Sequence, residues 1–285
     1  MIDWILEPLQ YGFMVRGLLA AIMVGVICPI IGSYMILRGM AFFGDALSHA
    51  ILPGIVAAYL LAWPLAVGAL VAGVVSAVAI GMISQRGKVQ KDTAIGIVFA
   101  GAFALGVAMM STVSGYSVDL THILFGDVLG VTTRDLWLTL GLGALVLGCV
   151  VLFYKELLLL TFDPTLALVL RLPARALRYL LLILIAVTVV VALQTVGISL
   201  MLAMLVTPAA AAQLLTRRLP SMMLTAAVIG LFSNVAGLYL SFYINIASGP
   251  AMVLVATAIF LLVFLFAPQR GILWQRKSTT ASQAA

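Results

Sequence analysis

Between Arg178 and Arg217 the chain carries no charged side chain and is almost entirely apolar. A helix needs about 20 such residues to cross the hydrocarbon of a bilayer, so this run is too long for one crossing and long enough for two. Its least apolar point, Gln194-Thr195-Val196-Gly197, is where it divides. Similar runs recur along the chain. Hydrophobic residues make up 65% and charged residues 8% of its 285 positions, whereas a soluble domain carries about 25% charged residues. The expected fold is therefore all-α: a polytopic helical membrane protein of about nine transmembrane helices, or eight if the long run is not divided. The net charge of +6 is scattered between apolar runs, which fits orientation in a membrane and gives no support to nucleic-acid binding.

The runs fall at roughly residues 13–37, 42–62, 64–84, 93–113, 136–154, the two parts of 177–215, 221–242 and 251–267. Arg16 lies near the start of the first, where its long side chain can snorkel to the interface, and Pro29 suggests a kink. Basic residues gather near positions 38, 86, 175 and 217, which marks those connections as cytoplasmic. An odd number of crossings then places the N-terminus outside and the C-terminus inside. Asp3 and Glu7, followed by a long apolar run, argue against a cleaved signal peptide. Residues 1–268 read as a single transmembrane domain and 269–285 as a polar cytoplasmic tail. Residues 114–135 form a polar outer connection with Asp119, His122, Asp127 and Asp135, patterned like a short surface helix. Asp163-Pro164 can start, and Pro173 can end, a cytoplasmic helix over 163–172 lying across the membrane surface. Cys28 and Cys149 sit in apolar runs without CxxC spacing and read as packing residues.

Within the second run, Asp45 and His49 are four residues apart and share a helix face. An ionisable group at bilayer depth costs roughly 2.5–3.5 kcal/mol on insertion scales, which marks such a pair as functional. Oxygen and nitrogen donors without a thiolate suit manganese, iron and zinc. Two ligands are an incomplete set, to be completed by another span, by water, or by a second copy of the chain across a two-fold axis. The plainer reading is that the two side chains satisfy each other or the backbone. His122, beside Asp119 and Asp127, reads as a metal entry point or as a solvated face. Gln194, Asn234 and Asn245 are accounted for by interhelical hydrogen bonds, and Gly101, Gly106 and Ala209 to Ala212 by close helix packing. None of the four lysines lies in a G-x-x-x-x-G-K-[ST] loop, so ATP hydrolysis is not expected of this chain alone. Nor is there a G-x-S-x-G elbow or an H-E-x-x-H helix, and an enzyme is not expected.

The stretch Phe43-Gly44-Asp45-Ala46-Leu47-Ser48-His49-Ala50-Ile51-Leu52-Pro53-Gly54 resembles the signature of the manganese/zinc/iron permease subunits of bacterial ABC importers. Three further segments agree in order: Lys91-Asp92-Thr93-Ala94-Ile95-Gly96-Ile97, Leu124-Phe125-Gly126-Asp127 and Leu205-Val206-Thr207-Pro208-Ala209. The resemblance implies a fold like that of the vitamin B12 type importer permeases, in the bacterial cytoplasmic (inner) membrane. It implies a homodimer served by a cytoplasmic ATP-binding-cassette ATPase and by an extracytoplasmic solute-binding protein. Asp45 and His49 would then coordinate transported Mn2+, Fe2+ or Zn2+, with no permanently bound cofactor, and the motif looks closer to manganese and iron members than to zinc members. The segment 163–178 resembles the coupling helix that docks onto the ATPase, which assigns Asp163, Pro164, Arg171, Arg175 and Arg178 to that contact. Two other classes stand beside ATP-driven import: a secondary ion-coupled metal or proton carrier using Asp45 and His49 as a relay, and a membrane anchor without transport.

Overall fold

The structure, a computed structural model, describes residues 6–85, 89–112 and 128–267. The described residues are mostly helical, with no strand among them. The helices are α1 (Gly12–Leu37), α2 (Phe43–Ala50), α3 (Leu52–Leu60), α4 (Leu65–Gln85), α5 (Lys91–Ser111), α6 (Thr133–Leu152), α7 (Tyr154–Phe162), α8 (Pro164–Val169), α9 (Ala174–Leu215), α10 (Leu219–Ile244) and α11 (Ser248–Phe266). Among the described residues eight segments are long and apolar enough to cross a membrane, counting α2 and α3 together as one.

The core is built around α9, which packs against α1, α4, α6, α10 and α11. At 42 residues it is too long for one crossing, and it is broken inside by Gly197 at φ 78°, ψ 173°. That backbone conformation is essentially restricted to glycine, because a Cβ would clash with the main chain. Arg178, near the start of α9, shares a cavity wall with Leu37 and Arg38. Ala209 and Ala212, near its end, pack beside Ile36 and Leu37. On a straight helix these two ends would be about 50 Å apart. The chain therefore folds back at Gly197, and the two halves make two crossings, divided within the four-residue stretch marked out by polarity.

Close backbone approach holds the bundle together. A Cβ on Gly32 of α1 would overlap the Leu205 carbonyl of α9, and Gly54 of α3 and Gly68 of α4 each leave room for the other's carbonyl. Pro29 has no N–H to donate to the Gly25 carbonyl one turn back, and at that level α1 meets Gly230 of α10. One turn further, Asn234 Nδ2 donates to the Ala21 carbonyl at 2.7 Å, an interhelical bond of the kind expected for that residue. Arg16 is more than a snorkelling side chain: its Nε donates to the Val131 carbonyl at 3.1 Å, tying the start of α1 to the segment that leads into α6.

Two local expectations are corrected. Asp135 is not in a loop but in the first turn of α6, where it and Thr132 form a reciprocal capping box. The helix expected over 163–172 is shorter. The chain there forms α7, a break at Asp163, and α8, which stops at Val169 before Arg171 takes a left-handed φ of 54°. Pro173 precedes α9 instead of ending α8. The surface helix expected over 114–135, His122, Asp119, Asp127 and the tail 269–285 lie wholly or mainly outside the described residues.

Gly32→Ala places a methyl group against a main-chain carbonyl that cannot rotate away, and should cost about 1–3 kcal/mol or more by overpacking. Gly148 faces open space, so Gly148→Ala should hold or raise stability through helix propensity. Thermal unfolding midpoints of the two purified variants in detergent check the contrast.

Candidate metal-binding site

Asp45 lies in the first turn and His49 in the last turn of the eight-residue α2, the ends where the helix dipole favours a carboxylate and an imidazolium respectively. Their nearest polar atoms, Oδ1 and Nε2, are 3.8 Å apart, beyond hydrogen-bonding range. The reading in which the two simply satisfy each other is therefore not what the geometry gives, and both keep donor capacity for a third atom. The side chains are 41% and 29% exposed, respectively, so neither is sealed in the core of the chain. On α5, Phe99 and Phe103 lie with ring centroids 5.7 and 5.8 Å from that of His49 and limit how far the imidazole can turn.

The break after α2 bears on the same site. Pro53 cannot donate to the carbonyl four residues back, which is that of His49. The N–H of Ile51 is shared between the Leu47 and His49 carbonyls, and α3 begins at Leu52 in a separate helix. Counting 1.5 Å per residue from Phe43, Asp45 lies about 3 Å and His49 about 9 Å into the crossing. The pair thus occupies the half of the crossing nearer Arg38. Among the described residues no three His, Cys, Asp or Glu side chains converge, so the described part of one chain offers two ligands.

The residues assigned to ATPase contact separate into two groups. Asp163, Pro164, Arg171 and Arg175 are exposed. Asp163 Oδ1 accepts from the N–H groups of Thr165 and Leu166 at 3.0 and 2.9 Å, capping α8. Arg178 instead turns into a cavity that Arg38 and Lys91 also line. Sequence reading used Arg38 and Lys91 only as markers of a basic connection or motif, since nothing local signals that they meet.

A family model described as the ABC 3 transport family matches residues 10–267. The chain belongs to that family. Among the relatives of this ABC 3 chain is the manganese transport system membrane protein MntC of Halalkalibacterium halodurans, 50% identical over 274 residues, covering 95% of this chain and 94% of the relative. The chelated iron transport system membrane protein YfeD of Yersinia pestis is 40% identical over 260 residues, covering 91% and 87%. Among solved structures, PsaBC from Streptococcus pneumoniae in complex with Fab matches with a TM-score of 0.85 at 38% identity, over 97% of this chain and 100% of that one. The helical membrane fold of the ABC 3 family is thus the fold of this chain.

Asp163→Ala removes both cap bonds at the start of α8 and should cost about 1 kcal/mol. The loss should be local. Amide hydrogen exchange at Thr165 and Leu166 should accelerate while exchange in α1 and α9 is unchanged.

Proposed function

We propose that the chain is the permease subunit of an ATP-driven importer that moves a divalent transition metal into the cytoplasm by alternating access, manganese first and iron or zinc next. The observation that carries this reading is the pair Asp45 and His49: an O donor and an N donor 3.8 Å apart, both partly exposed, in an apolar helical bundle. Relatives named for manganese and chelated-iron transport support the metal class. A second copy of the chain across a two-fold axis would bring two carboxylates and two imidazoles together, a full set for a divalent ion. The basic end, with Arg38, Lys91, Arg175, Arg178 and Arg218, is assigned to the cytoplasm by the positive-inside rule, which leaves the N-terminus outside and the C-terminus inside. An ATP-binding-cassette ATPase docks at that end, on the exposed surface of Asp163, Pro164, Arg171 and Arg175, and a solute-binding protein delivers the metal at the other.

The test is ATP-dependent Mn2+ uptake by the permease and its ATPase in liposomes. Asp45→Asn and His49→Ala should each abolish uptake while the complex still assembles; wild-type uptake by either variant would rule out obligatory coordination. Uptake driven by a pH gradient alone would identify a secondary carrier, and no uptake under either condition would leave a membrane anchor.

Charge reversal of Arg171 and Arg175 to Glu should uncouple the ATPase without unfolding the permease. Metal-stimulated ATP hydrolysis should fall toward the basal rate, with unchanged size-exclusion behaviour of the permease alone.

A further inference from the structure

At the basic end of the bundle lies a cavity of about 270 Å³, bounded by the end of α1, the starts of α2, α5, α8 and α9, and the ends of α4 and α7. A water molecule takes about 30 Å³, so the space is large enough for a tetrahedral anion. Among the described residues three cationic side chains line it, Arg38, Lys91 and Arg178, and no carboxylate does. Asp92, next to Lys91, is exposed and does not line the cavity. Lys91 lies within electrostatic reach of both arginines and, on its outer side, of Asp92, whose charge offsets theirs in part. The Arg178 Nε is buried and has no hydrogen-bond partner. The hydroxyls of Ser84 and Thr161, also in the wall, donate to the Gly81 and Leu157 carbonyls of their own helices at 3.2 and 2.7 Å. The guanidinium and ammonium donors are therefore the groups left to bind a ligand. Burial, with the Arg178 guanidinium nearby, lowers the pKa of Arg38 to about 10, which leaves it charged at neutral pH and repelled by its neighbour.

A buried donor without a partner costs free energy, and like charges held together cost more. One multivalent anion removes both costs, and arginine forks match phosphate oxygens two at a time. The rest of the wall, including Leu37, Met40, Ile80 and Leu182, is apolar, which suits a phosphate attached to a hydrocarbon body. Basic pockets between membrane helices at the cytoplasmic face bind lipid headgroups on this principle. The geometry points to a phosphate-binding site formed by Arg38, Lys91 and Arg178, filled by the phosphate of an anionic phospholipid or by a free phosphate. Phe43, which opens the helix carrying Asp45 and His49, also lines this cavity. On the import reading, the bound phosphate lowers the positive potential that a departing metal ion meets. The site itself does not depend on that reading.

The experiment uses the full-length, delipidated permease in detergent, without ATPase or metal. Native mass spectrometry compares retention of phosphatidylglycerol with that of phosphatidylcholine. Thermal unfolding compares inorganic phosphate with chloride at equal ionic strength. Wild type should retain phosphatidylglycerol in preference to phosphatidylcholine, and Arg38→Gln and Arg178→Gln should weaken that retention by about tenfold or more. Arg218→Gln, the same charge change at an exposed position, should not. A saturable stabilisation by inorganic phosphate, lost in the same two variants, with no lipid preference, assigns the site to a free phosphate. Without either probe, the two variants should melt no lower than wild type, because each removes a repelling charge. If either fails to fold, Lys91→Gln, at an exposed side chain, carries the same comparison. The proposal is overturned if neither probe distinguishes wild type from these variants, if Arg218→Gln weakens binding equally, or if the probe-free variants unfold at lower temperature.

Discussion

Inside a bilayer every main-chain N–H and C=O must find a partner within the protein, so helices are the default and each interruption has to be compensated locally. The interruptions therefore decide the shape of this chain. Gly197 lets a run of apolar residues double back, so that both ends of α9 reach the end of α1. Pro53 separates α2 from α3, and the carbonyl left without its usual donor belongs to His49, with the Ile51 N–H shared in its place. Pro29 leaves the Gly25 carbonyl without its helical partner, at the level where α1 and α10 meet through Gly25 and Gly230. Close helix contact in lipid relies on such small residues, because lipid supplies no hydrophobic drive between helices.

Most of this was legible in the sequence because lipid imposes so strict a length on apolar runs. The crossings begin and end within a few residues of where hydropathy places them, and the fold-back falls at Gln194 to Gly197 because polar and glycine residues concentrate where the chain leaves the apolar run. Shorter elements were less legible. Asp163 and Pro164 correctly signal a helix start, but nothing in 163–172 reveals that Arg171 takes a left-handed conformation and that α8 is already over by Val169. Asp135 reads as a loop acid by composition, yet it caps α6 together with Thr132, and the Thr-x-x-Asp spacing ahead of an apolar run is a signal that the sequence itself carries.

The candidate site divides in the same way. The spacing of Asp45 and His49 is local, and one helical turn brings them to one face whatever the rest of the chain does. What spacing cannot reveal is the 3.8 Å gap between them, their partial exposure, or the two phenylalanines of α5 beside the imidazole. Arg38, Lys91 and Arg178 are the opposite case. They come from three distant segments, each unremarkable as a basic connection, and only the packing of α9 against α1 and α4, and of α5 against α2 and α4, brings them to one cavity.

The two clusters are also physically opposed. A carboxylate and an imidazole attract a divalent cation, while three cations one helix start away repel it. If both fields acted unmodified, an ion leaving the pair toward the basic end would climb a barrier in a low-dielectric setting where charges are poorly screened. The positive-inside rule requires basic residues at that end for orientation, but orientation is served equally well by charges on exposed loops, as at Arg217 and Arg218. Charges gathered around a cavity instead make a place where a mobile anion can change the local potential. In the proposed importer the same three side chains then set the direction of the chain in the membrane and, depending on what they hold, the height of the step that an ion meets at the basic end.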